Sequence, residues 1–163
     1  MNSIQRLQES LRNAYDGKNW YGPTLKDILN DVDAETAAKD PIAGYPSIWR
    51  IVHHITGWIR EVQRGLSGES LVDPSEWDWK EVDDSSEAAW QQSLGDLDQA
   101  HQNLLAALDG FSEDRLDEPV MLGEDLPGGF THSTMLTGIL EHNVYHSAQI
   151  VVLRKQIEGL QDG

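Results

Sequence analysis

The chain has 163 residues, 28 acidic and 12 basic, giving a formal charge of −16 at pH 7. That field repels a phosphate backbone or an anionic membrane, which sets nucleic-acid and membrane partners aside. There is no cysteine, hence no disulfide framework, thiolate nucleophile or sulfur metal ligand, and the short apolar runs exclude a spanning helix. The N-terminus has no cationic stretch leading into an apolar one, so the sequence reads as one cytoplasmic domain over residues 1–163 whose reactive inventory is histidine and carboxylate.

Four segments carry helical periodicity, and none carries sustained strand alternation. The first opens at Ser3 as cap, puts Ile4, Leu7, Leu11 and Tyr15 on one face and stops at Asp16-Gly17. Asn19 to Pro23 reads as a turn, after which Thr24 caps a shorter helical piece with Leu25, Ile28, Leu29 and Val32. Asp40 to Pro46, with two prolines and a glycine, is a loop. The second long helix runs from about Ser47 to Leu66, with Ile48, Ile51, Val52, Ile55, Ile59, Val62 and Leu66 on a 3.6-residue repeat. Glu69 to Asp84 is acidic and non-periodic with Trp77 and Trp79 inside it, too long for a bundle turn, so it crosses the bundle or carries function. A third helix is expected from Ser85 to Leu108, an irregular arm from Leu116 to Phe130, and a fourth helix from Ser133 to Glu158 with Ile139, Ile150, Leu153 and Ile157 inward. The architecture this implies is an all-α four-helix bundle with a long crossover between the second and third long helices.

Helical phase sorts the histidines. On the second helix His53 lies about 160° from the apolar centre and His54 about 100°, on the margin beside Ile51 and Trp58. On the fourth, His146 lies about 20° and His142 about 60° from the centre, on the same side and stacked one turn apart. Two imidazoles at i and i+4, joined by a third from a facing helix, can ligate one divalent ion, with zinc, nickel and ferrous iron all suited. Three neutral ligands leave a position where bound water falls from a pKa near 15.7 to roughly 7, or where a carbonyl or thiolate is activated. A packed histidine with a satisfied nitrogen is the plain alternative for each. The segment from His142 to His146 lacks the glutamate of a zinc protease, and no paired Glu-x-x-His motifs of a di-iron bundle occur. His101, on the stripe of the third helix, competes for a place in the site but reads as core or support. His132 reads as a surface residue near the cap of the fourth helix, and His53 as exposed or bonded at a helix contact. Asn143 and Gln149 flank the pair and can orient a ligand imidazole or bound water. Tyr145 points away, as packing or interface.

Ser47 to Trp58 and Glu141 to Ile150, with Leu153-Arg154-Lys155 after them, resemble the second- and fourth-helix motifs of the DinB-like superfamily, which includes YfiT-type metal-dependent hydrolases. Asp16-Gly17 through Pro23 and Pro41-Ile42 fit the same pattern. The resemblance implies an up-down-down-up bundle, often a homodimer, with a metal on His54, His142 and His146. Related families suggest hydrolysis or transfer of a low-molecular-weight thiol to a small-molecule electrophile. The competing expectation is a non-catalytic dimeric bundle, stress-related, with a vestigial or structural metal site.

Overall fold

The computed structural model describes residues 1–122 and 129–161. Four long helices, α1 (Ser3–Tyr15), α4 (Ile48–Ser67), α5 (Glu87–Asp109) and α6 (His132–Gln161), pack around one apolar core, with short helices α2 (Leu25–Leu29) and α3 (Ala34–Ala38) between α1 and α4. Each start has a chemical cause. Asn2, not Ser3, caps α1, its side chain accepting the Gln5 N–H while Gln5 reaches back to the Asn2 N–H. Thr24 and Asp27 do the same for α2, Ser47 caps α4 and Ser86 caps α5. Gly68, at φ 87°, ends α4 in the left-handed conformation that glycine adopts without penalty.

Cross-helix contacts fix the directions. Trp49 meets Ser93 and Arg60 meets Asp96, so α4 and α5 run parallel. Gln8 bonds the Leu105 carbonyl while Tyr15 reaches Asp98, so α1 is antiparallel to α5. His54 meets His142 and Gly65 meets Met135, so α4 is antiparallel to α6. The order is up-down-down-up, and the parallel pair α4 and α5 requires the long connection 68–86 to travel the length of the bundle. The inward stripes are those the periodicity selects: Ile48, Ile51, Ile55 and Ile59 of α4 close on Leu97, Leu104 and Leu108 of α5 and on Leu136, Ile150 and Leu153 of α6. Trp49 and Trp90 seal the α4–α5 end, ring centroids 5.1 Å apart, with the Trp90 indole donating to the Val32 carbonyl.

The irregular arm is confirmed where it is described. Leu71 bridges Leu122, and Pro119 bridges Thr131, which ties the start of the 68–86 connection to the arm before α6; Pro127 and Gly128 lie outside the described residues. One correction concerns His132. It is the first residue of α6 and only 4% exposed, not a surface residue. Its Nδ1–H donates to the carbonyls of Arg115 and Glu118, and Phe111 packs on its ring.

Candidate metal centre

The antiparallel pairing of α4 and α6 places His54 opposite His142 and His146. The two α6 rings meet edge-on at 4.4 Å between centroids, and the His54 ring lies 4.8 Å from His142 and 4.6 Å from His146. One nitrogen from each of the three lies within 4.8 Å of the others. His54 and His146 are buried and His142 half-buried.

An oxygen faces the Nδ1 of every ring. His54 Nδ1 is 2.6 Å from Asp78 Oδ1, His146 Nδ1 is 2.6 Å from Gln149 Oε1, and His142 Nδ1 is 3.4 Å from Asn143 Oδ1. A carboxylate or amide oxygen only accepts, so these partners favour the proton on Nδ1 and leave Nε2 as the nitrogen each ring can offer. The Nε2 atoms of His54 and His142 are 2.9 Å apart, the spacing of an N–H···N hydrogen bond when one ring carries its proton there, and of two lone pairs turned toward a common point when both carry it on Nδ1. Burial, followed by the charge of the neighbouring His146, pushes His142 down to about 4. Burial likewise lowers His146. Both rings are therefore favoured in the neutral form a metal requires. Three neutral imidazoles are a donor set that zinc, nickel and ferrous iron all accept. The donor set fits a divalent metal.

The 68–86 connection completes the site. Trp79 stacks on His54 at 3.9 Å and 19° between planes, and its ring also reaches His146. Its φ of 53° is an unfavourable conformation for a bulky side chain. The backbone is held there by Arg50, which donates to the Trp79 carbonyl at 2.6 Å, and by Asp78 Oδ1, which accepts the Trp79 N–H at 2.9 Å. Trp77 packs against Trp58 and over Gly57, where any Cβ would overlap its ring. The chain thus crosses the bundle and supplies part of the site at the same time.

His53 is exposed yet bonded at a helix contact, its Nε2 lying 3.1 Å from Trp49 Nε1 and 2.9 Å from Ser93 Oγ. His101 is a core residue, 1% exposed and stacked on Tyr15 at 3.9 Å. Tyr145, 62% exposed, does not wholly turn away, because its ring meets the edge of His146. Asp78 is the residue the sequence reading missed; its signal was the Trp-Asp-Trp run in an otherwise unexplained acidic segment.

The model of the DinB superfamily matches residues 23–150, a span that contains all three histidines. The chain belongs to the DinB superfamily. Among solved structures, this DinB chain is similar to a conserved protein from Enterococcus faecalis, with a TM-score of 0.70 and 18% identity. That likeness covers 98% of this chain and 99% of the other, and at such identity it concerns the fold alone. No curated protein matches the sequence. Among the described residues, no helix is long and apolar enough to cross a membrane.

Proposed function

We propose that the protein is a metal-dependent enzyme acting on a small electrophile, with one divalent ion held by the Nε2 atoms of His54, His142 and His146. The observation that carries this reading is that every Nδ1 has an oxygen partner while the rings converge. When bound, such an ion supplies a Lewis acid that activates water or a thiol at neutral pH. The chain's own residues prepare the site for it. Asp78, Asn143 and Gln149 orient the imidazoles, and the Asp78 carboxylate behind His54 fixes which ring nitrogen faces the cluster. Trp79 covers one face of His54, and Trp58 walls the cluster, which excludes bulk water and strengthens every electrostatic contact inside. No cysteine exists to attack a substrate, so a thiol nucleophile would have to come from outside, as a low-molecular-weight thiol, with water as the other nucleophile the ion would activate.

The two reactions separate in one experiment. Zinc-loaded protein is incubated with 4-nitrophenyl acetate alone, and with 1-chloro-2,4-dinitrobenzene in the presence and absence of a small thiol. Ester cleavage without thiol marks a hydrolase; chloride released only as the thiol forms its C–S bond marks a transferase. Rates no higher than those of His146→Ala in both assays would contradict the enzymatic reading and favour a non-catalytic bundle.

We also propose that the chain forms a homodimer. What supports it is an apolar face between α1 and α6 carrying Trp20, 95% exposed, beside Tyr21, Val144 and Tyr145.

A further inference from the structure

We propose that the substrate brought to the histidine cluster presents a compact, uncharged apolar or aromatic group, seated in the cavity between α4 and α6. This names the substrate class of the site proposed above and rests on that reading. The cavity measures about 220 Å³ and is walled by Trp58 and Val62 of α4, Leu71 of the connection, and Met135, Gly138 and Ile139 of α6. It adjoins the cluster directly. His142 forms part of its lining, and the Trp58 ring in its wall lies 6.3 Å from His54 and 6.1 Å from His142.

Size and polarity define what fits. An apolar cavity of about 150 Å³ accepts benzene, so this one accommodates a substituted benzene or a branched chain of similar bulk. The polar side chains in the lining are Glu61 and His142. Glu61 is already committed, accepting the Val72 N–H at 3.0 Å and the Arg64 Nε–H at 3.3 Å, and Arg64 is shared with Glu69. Among the lining side chains an anionic group would face Glu61 with no spare cation, so any attraction for it would come from the ion on the histidines and not from the cavity wall.

Gly138 is the most telling part of the wall. Glycine in a helix interior is less stable than alanine, and a Cβ at Gly138 meets no heavy atom within 4 Å. Local packing therefore permits a side chain that helix stability would favour, and its absence keeps the cavity open. A larger groove of about 590 Å³ between α1 and α6 touches none of the three histidines.

The test uses tag-free, full-length, zinc-loaded protein and follows the Trp58 indole N–H resonance, assigned through Trp58→Phe, during titration with 4-methylphenol and with anionic 4-methylbenzenesulfonate, whose sulfonate is a poor zinc ligand. Saturable binding of 4-methylphenol is expected, at least tenfold tighter than 4-methylbenzenesulfonate and at least tenfold weaker in Gly138→Leu, whose zinc stoichiometry and helical circular dichroism stay unchanged. Absence of saturation, equal affinity for the two probes, or undiminished binding by Gly138→Leu would each overturn the proposal. If the leucine variant does not fold, Gly138→Ala replaces it; at least twofold weaker binding supports the cavity and equal binding overturns it. Wild-type protein that takes up no zinc yet binds 4-methylphenol in this Gly138-dependent way would refute the metal reading and leave the cavity assignment standing.

Discussion

At the scale of single residues, the decisive arrangement is the oxygen behind each imidazole. Loss of such a partner typically costs about 10–100-fold in metal affinity. Asp78→Asn keeps an oxygen but removes the charge, and Gln149→Ala removes the acceptor from His146 altogether. Competitive zinc titration should show both weakened within that range; wild-type affinity in both would mean the partners do not orient the ligands. His101 makes a different prediction. Burial holds it at about 4, and neither of its ring nitrogens has a hydrogen-bond partner among the described residues. The unfolded chain takes up a proton near 6.5, whereas the folded one resists until about 4. The stability His101 contributes by staying neutral is therefore complete above pH 6.5 and is lost as the pH falls from there to about 4, by about 3 kcal/mol in all. Denaturant unfolding across that window should show a shallower pH slope in His101→Phe than in wild type. Equal slopes would mean His101 is not the group that titrates.

At the scale of elements, α4 and its following connection act as one device. Gly57→Ala should favour the isolated helix by about 1 kcal/mol, yet the added methyl displaces Trp77 and loosens the segment that carries Asp78 and Trp79. Faster proteolysis between residues 69 and 86, together with weaker zinc binding, is expected; unchanged cleavage and affinity would show that the segment does not depend on Gly57. The same elements show what was legible in advance. The stripes of α1, α4, α5 and α6 could be read because each buries apolar residues at a helical period, and that phase put His142 and His146 inward. His54 was harder, because it sits on the margin of its stripe and is buried only when the connection folds over it. Asp78 could not be assigned, since no periodicity exists in an irregular segment and its partner lies 24 residues away. The small helix α3 escaped because five residues, three of them alanine, carry no apolar period. His132 was misplaced because a residue at a helix start looks solvent-facing until the arm that supplies its carbonyl partners is in place.

For the whole molecule, the up-down-down-up order sets the chemistry. Only a parallel α4–α5 pair forces a connection along the bundle, and only such a connection passes over the histidines. If the exposed Trp20 face is the contact between two copies, Trp20→Lys should shift the protein from dimer to monomer in light scattering without changing zinc stoichiometry; a monomeric wild type would remove that face as an interface. The account as a whole stands on the convergence of three imidazoles around one ion. Elemental analysis of tag-free protein tests this most directly. About one divalent metal per chain is expected in wild type, falling to near zero in His54→Ala, His142→Ala and His146→Ala while each remains helical. A wild type without metal, or folded variants that keep it, would contradict the central claim.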